Sequence, residues 1–145
     1  MRTEKGVVIV AYKEVRRNQR YLVLKRKKNW EGWEMPKGHL EDDDYTGSVK
    51  LELGEEAGLD EEDIESIEEM GETLEWTYED EDGEEVKREY RAFIVKVSDS
   101  GFVDVSENPH DEHETGFFLD YDDAASLLTY ENQKELLDKA RGTIE

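Results

Sequence analysis

Glu52, Glu55 and Glu56 stand at i, i+3 and i+4 in the stretch Gly38 to Leu59, GHLEDDDYTGSVKLELGEEAGL. On a helix that spacing puts three carboxylates on one face. Tyr45, Val49, Leu53 and Ala57, spaced by four, make an apolar stripe that suits a core. Gly58 supplies the left-handed residue that ends a helix. Like charges one turn apart cost an isolated helix about 0.2–0.5 kcal/mol per pair. A divalent cation with a preference for oxygen ligands would offset that cost.

The rest of the chain has to position that helix. Its 145 residues suit one domain around one hydrophobic core. There are no cysteines, which excludes disulfides, thiolate metal sites and a cysteine nucleophile. The apolar run near the N-terminus is too short to span a membrane and lacks a signal-peptide cleavage pattern, so a soluble, cytoplasmic protein is expected. Acidic residues number 40 against 19 basic, a net charge of −21. Such a chain is a poor general binder of nucleic-acid backbone. The charge suits a salty, halophilic cytoplasm where screening relieves self-repulsion, although eleven lysines are many for one. Molar KCl is then expected to raise the unfolding temperature; an unchanged midpoint would remove that reading. The charge is uneven. Residues 13 to 37 sum to +6, leaving −27 for the remainder. This basic segment suits either an anionic ligand or a solvated hairpin with snorkelling lysines.

Gly6 to Tyr12 reads as a buried strand, Glu14 to Gln19 as a polar turn and Tyr21 to Leu24 as a hairpin partner. Trp33 to Met35 is a short strand ended by Pro36. The carboxylate helix should begin near Asp42 to Tyr45, where aspartate caps well. After an acidic connection at Asp60 to Asp63, Ile64 to Met70 and Thr73 to Tyr78 read as strands. Asp82-Gly83 turns the chain into a long strand, Lys87 to Val97. In it Tyr90, Ala92 and Ile94 face one way, and Arg91, Phe93 and Val95 the other. Phe102 to Val105 reads as a minor strand, Ser106 to Glu114 as a polar loop and Gly116 to Leu119 as a last strand. Tyr121 to Leu128 and Glu131 to Ala140 read as helices. Strands mixed with a central and a C-terminal helix imply a mixed sheet between helical layers.

Glu52 to Leu59, ELGEEAGL, resembles the end of the Nudix box, G-x5-E-x7-R-E-U-x-E-E-x-G-U, with Leu53 and Leu59 at the bulky apolar U positions. Trp33 to Glu41, WEMPKGHLE, is similar to the usual lead-in to that box. The resemblance covers nearly the whole chain. It implies a single Nudix hydrolase domain over residues 1–145, an α/β fold in which a mixed β-sheet forms an α/β/α sandwich with the box helix packed on it. It also implies a metal-dependent hydrolase of a nucleoside diphosphate linked to another group, working with Mg2+ or Mn2+. The resemblance assigns Glu52, Glu55 and Glu56 to metal binding, with Glu52 the favoured general base. Such chemistry needs carboxylates for a hard cation and a base near an attacking water.

Two features depart from the pattern. The interval from Gly38 to the helix is one residue short, so the mid-loop glutamate falls on Asp43 or Asp44. Leu51 stands where the family has an arginine that orients the catalytic glutamates. Lys50 lies about 100° round the helix and cannot simply replace it. Leu51→Arg is expected to raise turnover unless a basic residue from elsewhere fills the role. Gly54 inside the helix costs about 1 kcal/mol against alanine and suggests close approach of another segment.

His110-Asp111-Glu112-His113-Glu114 is similar to the histidine-glutamate-histidine segment of the diadenosine tetraphosphate hydrolase branch, and Glu112 matches its metal-binding glutamate. Asp111 replaces the first histidine. A rival reading makes His110 and His113 a zinc pair, but third and fourth ligands are not evident. Lys37 and Gly38 are candidates for substrate phosphate. Tyr90 and Tyr130 are candidates to stack on a base, although a buried core role is preferred for Tyr90. Trp30, Trp33 and Trp76 read as packing. The branch resemblance implies conversion of diadenosine tetraphosphate to ATP and AMP. Other substrates within the family are a nucleoside triphosphate, ADP-ribose or the 5′ end of RNA, the last disfavoured by charge. Leu51 also admits a nucleotide-binding module with weak turnover. The expected partner is a small nucleotide, with no membrane and no nucleic acid, and a monomer is expected.

Overall fold

Val7 to Ala11 is apolar at every position, so a strand through it must bury both faces. In the computed structural model, which describes residues 2–28, 30–106 and 111–144, β1 (Arg2–Val15) does so. Val7, Ile9 and Ala11 enter one core, and Val8 and Val10 enter another. The same alternation divides β2 (Asn18–Arg26), with Leu22 and Leu24 on the first side and Tyr21 and Val23 on the second.

Five further strands complete a mixed sheet. They are β3 (Gly32–Glu34), β4 (Lys37–His39), β5 (Ile64–Glu79), β6 (Glu85–Val97) and β7 (His113–Leu119). The order is β3-β2-β1-β6-β5, with β4 on β1 and β7 on β2. Only β1 and β6 run parallel; the other pairs are antiparallel. Helix α1 (Tyr45–Ala57) covers one face through Val49, Leu53 and Ala57. Helices α2 (Tyr121–Leu127) and α3 (Glu131–Ile144) cover the other through Ala124, Leu136, Leu137 and Ala140. The α/β/α sandwich expected from the sequence is present. Tyr90, Ala92 and Ile94 divide from Phe93 and Val95 as the strand period requires.

Several local expectations need correction. Phe102 to Val105 forms no strand. Phe102 is 76% exposed, while Val103 and Val105 pack on the α1 core. The segments expected at 64–70 and 73–78 are one strand, irregular between Glu69 and Thr73. Gly71, at φ 76, supplies the backbone freedom there. The last strand begins at His113, three residues before Gly116. Gly54 is exposed, and only the Leu59 carbonyl lies near where a Cβ would stand, at 3.8 Å. Among the described residues, no other segment packs closely there.

Candidate active site

Strands β1 and β2 pair from Tyr12–Tyr21 to Val15–Asn18 and then separate. The gap is filled by the short segment 32–39. Its first half, β3, pairs with Leu24–Arg26 of β2, and its second half, β4, pairs with Gly6–Val8 of β1. Met35 and Pro36 connect the two, and the Pro36 carbonyl accepts from Ile9 N at 2.9 Å. A break between strands is a natural place for proline, which has no N–H to give. The segment places Glu34 opposite Leu24 of β2, and Lys37 and Gly38 opposite Val8 and Val7 of β1, with Gly38 against Glu52 of α1.

Helix α1 is anchored at both ends. Asp44 caps it, its Oδ1 accepting from Gly47 N at 2.9 Å. Asp44 is therefore a cap; its carboxylate is spent on the backbone. Gly58, at φ 68, closes the other end, where Leu59 N donates to the Leu53 carbonyl at 3.0 Å. With the stripe of Val49, Leu53 and Ala57 buried, the glutamates turn toward β4 and β7. Gly38 packs against Glu52 so closely that a Cβ there would overlap the carboxylate.

The result is a cavity of about 570 Å³. Glu52, Glu55 and Glu56 from α1 and Glu112 from the approach to β7 line it together. Arg26, Lys37 and Arg88 supply positive charge at its wall, and Gly38 and Tyr90, both expected at the site, also line it. Burial, reinforced by Glu56, Glu55 and Glu112, pushes the Glu52 carboxyl up to about 8. A cation among these oxygens would reverse that shift. Glu41 lines the same cavity, and these carboxylates are a hard-oxygen donor set that fits Mg2+ or Mn2+. Among the described residues, the tightest donor group, within 4.8 Å, is Glu56, Glu112 and His113. We count only its carboxylates as cation holders, because both ring nitrogens of His113 face carboxylates already. His110 lies outside the described residues.

Behind the cavity is a buried charge network. His113 is 4% exposed; its Nδ1 lies 3.0 Å from Glu56 Oε2 and its Nε2 2.8 Å from Glu34 Oε2. Arg26 Nη1 donates to Glu34 Oε2 at 3.0 Å and to Glu112 Oε2 at 3.5 Å. Lys37 Nζ forms an ion pair with Glu34 Oε1 at 3.1 Å, without the alignment of a hydrogen bond. Burial opposes both charged forms, yet the mutual pairing wins. Glu34 is held down to about 2 by His113, Lys37 and Arg26, and His113 is raised to about 9 by Glu34 and Glu56. A histidine charged in this way donates from both nitrogens.

A second cavity of about 390 Å³ adjoins the first and shares Arg26, Lys37 and Arg88 with it. Trp30, Trp76 and Tyr130 line it. Trp30 and Tyr130 meet edge to face at 5.1 Å, and Trp76 meets Tyr90 at 5.0 Å. The buried Asn132 Oδ1 at its wall has no hydrogen-bond partner among the described residues.

Tyr130 thus lies apart from the carboxylates, in the aromatic cavity, half-exposed. Tyr90 is 2% exposed and belongs to the core, touching the first cavity with one side. Trp30 and Trp76, read as packing, line the aromatic cavity, while Trp33 does pack, against Phe117. Of the basic segment, only Arg26 and Lys37 reach the carboxylate cavity. Arg16 and Arg17 form the hairpin turn, and Lys27 pairs with Asp111. Leu51 sits on the rim, 42% exposed, and Lys50 turns away to Glu61 at 2.8 Å. Sequence reasoning missed Glu34, Arg26, Arg88 and the burial of His113. Glu34 and Arg88 were charged residues inside strand patterns, whereas Arg26 followed a strand and His113 lay in the expected polar loop, with no local signal for burial.

Among the described residues, no helix is long and apolar enough to cross a membrane. By sequence, the chain has no significant relative among curated proteins. By structure it is similar to a C. elegans Ap4A hydrolase in a binary complex, at TM-score 0.76 and 22% identity over 97% of each chain. It is also similar to the NUDIX domain of Shewanella oneidensis NrtR complexed with ADP ribose, at TM-score 0.73 and 14% identity, over 100% of this chain and 90% of that one. The E. coli dihydroneopterin triphosphate pyrophosphohydrolase aligns at TM-score 0.71 and 16% identity, over 96% of this chain and 97% of that one. At these identities the likenesses establish the fold. The family model of the NUDIX domain matches residues 3–140, and the chain belongs to that family.

Proposed function

We propose that the chain hydrolyses a nucleotide pyrophosphate, and that diadenosine tetraphosphate, cleaved to ATP and AMP, is its substrate. One observation carries this reading: a carboxylate cavity and an aromatic cavity that share three cations, Arg26, Lys37 and Arg88. The arrangement matches a nucleotide laid across both. The aromatic cavity accepts the base, with Trp30, Trp76 and Tyr130 offering rings for stacking. The unpaired Asn132 Oδ1 is an acceptor suited to an exocyclic amino group, which adenine has. The three cations hold the phosphate chain between the cavities, Lys37 as a point charge and the arginines through their forks.

Glu52, Glu55, Glu56 and Glu112 hold Mg2+ or Mn2+. A bound divalent cation neutralises the pyrophosphate and acidifies a water. Glu52 takes a proton from the attacking water. The new bond forms between that oxygen and phosphorus, the anhydride P–O bond breaks, and the leaving phosphate carries away the electron pair. Gly38 lets the β4 backbone close on Glu52, which keeps its carboxylate in one place. We place this activity in the cytoplasm of a halophilic host, in keeping with the acidic composition.

The test is a panel of nucleotide pyrophosphates with Mg2+: diadenosine tetraphosphate, ADP-ribose, nucleoside triphosphates and 5′-triphosphate RNA. ATP and AMP in equal amounts from the first, at the highest kcat/KM, is the expected result. Preference for another member would replace the substrate, and no turnover of any member would remove the reading.

A further inference from the structure

We infer that His113 is a positioning residue that, from β7, fixes Glu56 in the carboxylate cavity. The inference rests on the proposed metal role of Glu56.

The case is geometric. Glu56 is 3% exposed, so its carboxylate cannot be steered by solvent. On its own helix no cation is available to do so. Position 51 is leucine, exposed on the rim, and Lys50 is engaged by Glu61. The partner comes from across the molecule, 57 residues along the chain. His113 Nδ1 meets Glu56 Oε2 at 3.0 Å, and Glu56 also lines the cavity.

His113 is itself held. Its Nε2 meets Glu34 Oε2 at 2.8 Å, and the same oxygen accepts from Arg26 Nη1 at 3.0 Å. The ring therefore has a fixed rotation, and Glu56 inherits it. Among the described residues, Glu56 from α1 and Glu34 from β3 face His113, and Arg26 of β2 and Lys37 of β4 reach Glu34 behind it. An imidazole clamped between a structural carboxylate and a functional one sets the direction of the functional one.

The experiment measures Mn2+ binding by calorimetry, without substrate, on the wild type, His113→Gln, Glu56→Gln and the double variant. Thermal unfolding is read on each. If His113 acts through Glu56, His113→Gln weakens Mn2+ binding about 10–100-fold, the range typical of residues that orient a ligand. In the Glu56→Gln background the same change has little further effect, because the group it positions is gone. Equal losses in both backgrounds, or a lowered unfolding temperature with Mn2+ affinity within twofold of wild type, would reduce His113 to a structural residue. If His113→Gln does not fold, His113→Asn is read in its place; if neither folds, the positioning role is overturned. Because no turnover is measured, failure of the substrate assignment leaves this result readable. Absence of Mn2+ binding by the wild type would instead strike the metal reading beneath it.

Discussion

Glu52→Gln is expected to lower kcat by about 10²–10⁴-fold while KM changes little, the range lost when a positioned general base is removed. The substitution is close to isosteric, and Gly38 packs on that side chain. The amide therefore fills the same space, and the part of the loss that saturating Mg2+ does not recover reports the missing base rather than Glu52's share of cation binding. Glu56→Gln serves as the contrast. If Glu56 is chiefly a cation ligand, raising Mg2+ recovers part of its activity by mass action. Glu52→Gln gains little from added Mg2+, since saturation does not restore a base. Turnover of Glu52→Gln within tenfold of wild type would move the base elsewhere on the cavity wall. Glu55 and Glu112 are the groups to examine next.

The carboxylate helix was legible because its evidence is local. Glutamates at i, i+3 and i+4, an apolar stripe spaced by four and Gly58 all lie within one element. Strand faces were legible for the same reason; Tyr90 and Phe93 divide by parity alone. Glu112 reached the cavity where its place before β7 suggested. What was hidden depends on pairing between distant segments. Glu34 lies in a three-residue strand and is 1% exposed, yet nothing near it in sequence announces burial. Its partners come from β2, β4 and β7. His113 read as part of a polar loop because its two carboxylates are 57 and 79 residues away. Trp30 and Trp76 read as packing because an aromatic side chain suits a core and a ligand cavity equally. Only the convergence of Trp30, Trp76 and Tyr130 on one cavity separates the two uses.

The second large effect is on stability. Glu34→Gln is expected to destabilise the fold by about 3–5 kcal/mol at pH 7, the cost of breaking a buried charge pair from one side. The amide leaves Arg26, Lys37 and His113 facing a group without charge. The gap between wild type and variant should also depend on pH. Glu34 sits at about 2 in the folded protein against an ordinary 4.5. A depressed carboxyl contributes stability above its unfolded value and loses it as pH falls through the folded one. The gap should therefore hold above about 4.5 and close toward 2. On the alkaline side His113, raised from 6.5 to about 9, contributes fully below 6.5 and loses that contribution as pH rises through 9. The gap is then widest between about 4.5 and 6.5. Urea unfolding of both proteins at pH 3, 5, 7 and 9, in EDTA so that no cation competes for Glu56, measures it. A gap that stays constant from pH 7 down to 3 would mean that Glu34 is not held as a buried carboxylate. The loss at pH 7 would then reflect altered packing around β3.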